Sequence, residues 1–325
     1  MTPANRILEL LYDRGGEFVW MDELAGAVGA SPPAAEAALA ELAGRGHRLQ
    51  RGPEGVRLLR PTVLDAHLIE RGLPVARIGR HVICFDEVDS TNDVALDSAE
   101  GAGGQALVVT AEHQRAGRGR LGRRWVCERG AGVLASVLLP AGSERLPREG
   151  LTVAAGLAVA EGLEAAAGVR TGLAWPNDVL LDGGKVAGVL VDVRSPARPG
   201  GSGERVVVGM GINAGGAPPP EQVGRATACL AAAAGRAVER IDVLRAVLVA
   251  LDRRAADLAA GRTAELHDAW AARSETINRR VAVAGPDGRV EGRVLDVSPT
   301  EGLVLLTDGG RRVHLPAATS TLIDG

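Results

Sequence analysis

The chain has 325 residues, 46% of them hydrophobic, and a formal net charge of −3 at pH 7. That length exceeds one ordinary core and predicts two or three domains, while that charge excludes a nucleic-acid wrapper or an acidic tail. Three widely spaced cysteines (Cys84, Cys127, Cys229) exclude a disulfide framework and a zinc site; with a start, Met1 to Arg6, that lacks a signal-peptide pattern, they lead us to expect a reducing, cytoplasmic setting and no membrane association.

In chain order, Ile7, Leu8, Leu10 and Leu11 predict a short amphipathic helix, and Met21 to Val28 predict a second with Leu24 and Val28 inward. Ser31 reads as an N-cap, with Pro32 at the first helical position, where its missing N–H costs nothing. Leu39 and Leu42 put an apolar stripe on this third helix. Arg48-Leu49-Gln50 and Val56-Arg57-Leu58-Leu59, flanking the turn Gly52 to Gly55, predict a two-stranded wing. Three helices and a wing make a winged helix-turn-helix domain over residues 1–62, an arrangement that normally reads DNA. The third helix argues against that use. Ser31 to Glu41 offers no Arg, Lys, Asn or Gln to a base edge, and residues 1–60 hold seven arginines against eight acidic residues. Arg48, Arg51, Arg57 and Arg60 are left for a phosphate backbone, so the expectation is a structural or regulatory remnant rather than a specific DNA reader.

From residue 63 helices alternate with strands. His81 to Phe85, Leu107 to Thr110, Val133 to Leu139, Val186 to Val193 and Val206 to Val208 predict short buried strands. Leu151 to Val169 predicts a helix across them; Gly156, Glu161, Gly162 and Glu164 mark it as a core helix rather than a membrane span. Ser195 to Glu204 and Gly215 to Pro220 read as mobile surface loops, and Arg240 to Ala260 as a strongly periodic helix. These elements predict an α+β domain over 63–277. Beyond it Val281 to Val283, Val294 to Val297, Leu303 to Leu306 and Val313 to Leu315 predict a small all-β barrel over 278–325.

The strongest chemical segment runs from Gln114 to Trp125. Gly117, Gly119 and Gly122 let backbone N–H groups approach an anion, and Arg118, Arg120, Arg123 and Arg124 add charge suited to phosphate or carboxylate. Trp125 adds a flat apolar face. The spacing of the three glycines imitates a dinucleotide fingerprint, but a strand follows where that fingerprint needs a helix, so dinucleotide binding is rejected. Asp89-Ser90-Thr91-Asn92 opens a helix; Ser90 or Thr91 is read either as an N-cap or as part of a site for a polar head group. In Trp175-Pro176-Asn177-Asp178 the last two side chains suit a ribose, a phosphate or a metal, or merely a tight turn. Gly209-Met210-Gly211-Ile212-Asn213 ends a strand at which Asn213 could meet a base. Lys185, in Lys185-Val186-Ala187-Gly188, is the one lysine among 37 basic residues. Its compact ammonium can bond a carboxylate and a phosphate oxygen together.

In chain order the five motifs resemble those of bacterial biotin–protein ligases that carry an N-terminal winged helix, and the resemblance spans nearly the whole chain. It implies a winged helix-turn-helix, a central mixed-sheet α+β catalytic domain and a C-terminal SH3-like β-barrel. It also implies an activity: biotin and MgATP form biotinyl-5′-adenylate, and a lysine of a biotin carboxyl carrier protein attacks it. Ser90, Thr91, Asn92 and Gln114 would bind the biotin head, with Gly117, Gly119 and Gly188 beside it. The loop from Arg118 to Arg120 would close over the ligand, with both arginines catalytic, and Lys185 would hold the biotin carboxylate and the α-phosphate. Trp125, Arg123, Arg124, Asn177 and Asn213 would line the nucleotide region, Asp178 would reach Mg²⁺, and a ligand-linked homodimer is plausible by sheet-edge pairing. Competing expectations are a lipoate or octanoate ligase of related fold, a biotin-sensing DNA-binding regulator, and a catalytically dead interaction module.

Overall fold

The computed structural model describes residues 1–29, 31–194, 204–298, 302–317 and 319–323. Three helices, α1 (Pro3–Asp13), α2 (Met21–Val28) and α3 (Pro32–Gly44), precede a hairpin of β1 (Leu49–Gly52) and β2 (Gly55–Leu58). The turn is tighter than the sequence suggested because Gly55 takes φ +108° and packs on the Val19 carbonyl, where a Cβ would lie 2.0 Å away. Thr2 caps α1 through Asn5 N–H, whereas Ser31, at the expected N-cap of α3, makes no side-chain capping bond. Pro32 and Pro33 explain part of this, since neither has a backbone N–H to donate.

A short helix α4 (Ala66–Glu70) leads into a mixed sheet built from β3 (Val82–Val88), β4 (Leu107–Gln114), β5 (Val133–Leu138), β6 (Gly172–Ala174), β7 (Asp178–Leu181), β8 (Gly184–Arg194) and β9 (Arg205–Ile212). The spatial order is β3-β4-β5-β9-β8-β7-β6, and only β3 and β4 pair in parallel. The interposed α5 (Thr91–Asp97) packs on β4, β5 and β9 over its own small core of Ala95, Leu96, Leu107, Val109, Leu138 and Val207. Helix α6 (Arg148–Ala167) packs against the sheet and against a later helix, Arg240–Ala259. Helix α6 starts three residues earlier than expected, and Gly168 in the left-handed region ends it, so Val169 lies beyond. Its 18-residue window Gly150–Ala167 is apolar and long enough to cross a membrane but 72% buried in the fold, as a core helix is.

Two short helices, α7 (Pro220–Val223) and α8 (Leu230–Ala234), occupy the loop side, and α9 (Arg240–Ala259) and α10 (Thr263–Ala271) cover α6. Gly162 is the seam between α6 and α9: a Cβ there would sit 2.5 Å from Val247. The C-terminal sheet comprises β10 (Arg280–Gly285), β11 (Gly288–Ser298), β12 (Gly302–Leu306), β13 (Arg312–Leu315) and β14 (Thr321–Ile323), all antiparallel, in the order β13-β12-β11-β10-β14. The expected loop Ser195 to Glu204 lies, apart from Glu204, outside the described residues.

The N-terminal helices are joined to α9 by polar contacts. Tyr12 donates to Asp242 at 2.9 Å, Arg60 pairs with Glu239 at 3.1 Å, and the buried Arg240 donates to Thr62 O at 3.1 Å. Asp65 joins the same regions. It caps α4 through Leu68 N–H and is paired with Arg45 and His47. Burial alone would raise its carboxyl pKa, but the His47 hydrogen bond, the Arg45 charge and the Leu68 N–H together outweigh that and hold it down to about 2, from 3.8. A depressed folded-state value means that this stabilisation is present above pH 3.8 and is lost as pH falls toward 2. Asp65→Asn is therefore expected to remove about 2 kcal/mol of stability at neutral pH and to flatten the acid limb of a urea-midpoint titration between about pH 4 and pH 2.

Candidate active site

Three glycines leave a bare floor on one face of the sheet. Gly209 and Gly211 are two apart on β9, so they face the same way, and Gly188 of β8 pairs opposite Gly211. Each has a large neighbour where a side chain would stand. A Cβ on Gly209 would lie 2.2 Å from Asn92 Oδ1, one on Gly211 would lie 2.3 Å from Trp125 Cε2, and one on Gly188 would lie 3.0 Å from Lys185 Nζ. The strands thus carry Asn92, Trp125 and Lys185 side by side, and the Lys185 ammonium lies 5.5 Å from the Trp125 ring centroid. Over this floor opens a cavity of about 560 Å³, a size suited to a small organic ligand.

One part of its lining is a neutral polar cluster. Gln114 Oε1 accepts from Thr91 N–H at 2.7 Å and from Thr91 Oγ1 at 2.9 Å; Ser136 Oγ lies 2.6 Å from Thr91 Oγ1 and donates to Asn92 Oδ1 at 2.6 Å. Asn92 Nδ2 is buried without a hydrogen-bond partner, a donor left for something in the cavity. Ser90 stands at the N-cap of α5 but makes no capping bond, so the helix-cap account does not explain it. Ser136, fully buried on β5 and paired with Gly209, was not singled out from the sequence. Its only signal there is a lone hydroxyl in the apolar run Val133 to Leu138.

The other part is cationic: five arginines (118, 120, 123, 124 and 225) and Lys185 line the cavity against one carboxylate, Asp178. Lys185 and Arg225 each pair with one oxygen of Asp178. The loop from Gly117 to Trp125 is closed on itself by Gly119 N–H to Arg123 O at 2.7 Å and Trp125 N–H to Gly117 O at 3.0 Å. Arg118 turns to Asp93 at 2.9 Å and Asp192 at 3.1 Å, while Arg120 donates to the carbonyls of Ala317 and Ser320, between β13 and β14. Burial lowers the Arg120 pKa from its usual value, opposed by the nearby Asp178; a guanidinium nevertheless stays charged. Thr321 and Leu322 also line the cavity, so the C-terminal sheet contributes a wall that the sequence did not reveal.

Of the residues expected from the sequence, all line this cavity except Gly117, which closes the base of the loop and where a Cβ would strike Trp125 O at 2.6 Å. Asn177 donates to Val189 O, and Asn213 Nδ2 is committed to the carbonyls of Lys185 at 3.3 Å and Ala228 at 3.2 Å. Asn213 holds the strand that carries Lys185, and its buried Oδ1 has no hydrogen-bond partner. Among the described residues no group of three or more His, Cys, Asp or Glu side chains could hold a metal ion.

A family model described as the biotin/lipoate A/B protein ligase family matches residues 84–213. The biotin–[acetyl-CoA-carboxylase] ligase of Paracoccus denitrificans is 38% identical over 248 residues, covering 71% of this chain and 95% of that protein. The chain belongs to the biotin–protein ligase family. Its similarity to the bifunctional ligase/repressor BirA of Bacillus subtilis, 29% over 313 residues, extends over 95% of both ligases. Among solved structures, the biotin protein ligase of Aquifex aeolicus in complex with biotin and ATP superposes with a TM-score of 0.65 at 27% identity, covering 76% of this ligase and all of that one.

Proposed function

We propose that this ligase activates biotin with MgATP and transfers it to a lysine of a biotin carboxyl carrier protein. The observation that carries this is the one cavity in which Thr91, Asn92 and Gln114, backed by the buried Ser136, are joined to Lys185, five arginines and Trp125. Biotin has a neutral ureido head and a carboxylate tail, and ATP brings an aromatic base and a triphosphate. The cavity offers a counterpart to each. On this assignment Ser90, Thr91, Asn92 and Gln114 receive the ureido head. Lys185, Arg118 and Arg120 neutralise the carboxylate and α-phosphate, two anions that otherwise repel, and Trp125 offers a face to the adenine.

In the first step a biotin carboxylate oxygen attacks the α-phosphorus, the bond to the β-phosphate bridging oxygen breaks, and pyrophosphate leaves with the bond electrons. In the second, the carrier lysine amine attacks the acyl carbon, AMP leaves, and the amine proton is lost. Neither step needs a nucleophile from this chain. Cations fixed before the charge develops act as electrostatic catalysts, worth about 3 kcal/mol per group in related sites. Asp178, the one carboxylate of the cavity, already serves two cations, so Mg²⁺ is assigned to the nucleotide as MgATP rather than to a protein cage. The test is direct: α-labelled ATP, Mg²⁺ and biotin should give biotinyl-adenylate, with little product when lipoate or octanoate replaces biotin. A folded protein that makes no adenylate, or prefers lipoate, would defeat the assignment.

Residues 1–62 are proposed to be a winged-helix domain, 63–277 the catalytic domain and 278–325 an SH3-like domain. The exposed face of α3 carries Glu36 and Glu41, and Arg51 of the hairpin is already paired with Glu36 at 2.7 Å. Those charges support a ligase without operator recognition. In a gel shift with or without biotin and MgATP, we expect only weak, salt-sensitive DNA binding; a sequence-specific complex that survives about 0.2 M salt would contradict this. A ligand-linked homodimer would pair through an edge of the central sheet, whose outer strands are β3 and β6.

A further inference from the structure

Arg225 belongs to none of the motifs, yet it lies in the heart of the cavity. It pairs with one carboxylate oxygen of Asp178 while Lys185 pairs with the other, and Asp178 is only 7% exposed. Its segment is not a free surface loop. Lys185 N–H donates to Ala226 O at 3.0 Å and Ala228 N–H donates to Lys185 O at 2.9 Å, so the chain beside Arg225 is hydrogen-bonded to the residue whose charge matters most. Asn213 Nδ2 bonds the carbonyls of both Lys185 and Ala228, fixing the two segments together.

Charge bookkeeping gives the pairing a purpose. Lys185 and Asp178 alone would form a neutral pair, and the carboxylate would repel an incoming carboxylate or phosphate about as strongly as the ammonium attracts it. A guanidinium on the second oxygen restores one net positive charge, and it cannot be lost by deprotonation. We propose that Arg225 is a positioning residue of the adenylation step. It neutralises Asp178, so that Asp178 can hold the Lys185 ammonium in place without cancelling its charge toward substrate. This rests on the ligase function proposed above and extends it to a residue that the motifs do not contain.

The experiment is single-turnover adenylate formation by the full chain with α-labelled ATP, Mg²⁺ and biotin, in a double-mutant cycle. Arg225→Ala is expected to slow the step at least about tenfold, as loss of a charge-stabilising group does. Arg225→Lys, which keeps the charge, should return it to within about threefold. In an Asp178→Asn background the same Arg225→Ala change should cost less than about threefold, because no carboxylate remains to neutralise. Thermal midpoints of Arg225→Ala and Arg225→Lys should lie within about 3 °C of each other, which separates the effect from misfolding. No adenylate from the unsubstituted protein overturns the ligase assignment, and this role with it. Adenylate formed equally fast by the unsubstituted protein and Arg225→Ala overturns the role of Arg225 alone, as does an equal loss with and without Asp178.

Discussion

Lys185→Ala should reduce adenylate formation by at least about a hundredfold, the scale seen when one preorganised charge-stabilising group is removed. The fold should survive, because the side chain is one-fifth exposed and Asp178 keeps Arg225 as a partner. Lys185→Arg should not restore the rate. The ammonium stands against Gly188, where a Cβ would come within 3.0 Å of Nζ and Cε and 3.3 Å of the Trp125 ring, and it lies 5.5 Å from that ring's centroid. A broad planar guanidinium has no such slot, and its fork presents charge with a different geometry. The measurement is rapid-quench adenylate formation with unfolding midpoints alongside. A fast Lys185→Arg variant would show that charge suffices and that the shape of the slot is irrelevant.

Gly211→Ala should be the second severe change, although it adds a single methyl group. Its Cβ would sit 2.3 Å from Trp125 Cε2 and 2.6 Å from Cδ2, a separation that no pair of carbon atoms tolerates. The indole must move by an ångström or more, and it carries with it the loop that ends at Trp125 N–H on Gly117 O. Misplacement on that scale near a reacting centre costs about a hundredfold in rate, and we expect the loss to appear in kcat/KM for MgATP with circular dichroism unchanged. Gly26→Ala in α2, where a Cβ meets nothing within 4 Å, serves as the matched control and should leave activity intact. A Gly211→Ala enzyme with normal ATP kinetics would mean that Trp125 has no part in holding nucleotide.

The sequence was most legible where chemistry and backbone demand coincide. Gly117 to Trp125 is dense in glycine and arginine, and the anion-binding role proposed for this loop calls for both bare backbone and charge, so its composition announces it. Lys185 is visible because arginine fills every other basic position. Long elements such as α6 and α9, 20 residues each, were visible, α6 by its long apolar stretch and α9 by its period, whereas α4 and β6, at five and three residues, were too short for either signal. Ser136 and Arg225 were hidden for another reason. Their partners Asn92 and Asp178 are 44 and 47 residues away, so only folding reveals what they are for. The glycine floor was half visible: the alternation of Gly209 and Gly211 stands out in β9, but its meaning depends on Asn92 and Trp125 arriving from elsewhere.

The scarcity of lysine has a chemical corollary. An acyl-adenylate is an electrophile that seeks unprotonated primary amines, and any that escapes its cavity meets first the surface of the protein that made it. Here that surface is arginine-rich, and guanidinium groups stay protonated and do not take up acyl groups. The single lysine side chain is drawn against Asp178 inside the cavity. The outer coat therefore offers no side-chain amine, and an escaping molecule of product finds its lysine on another protein.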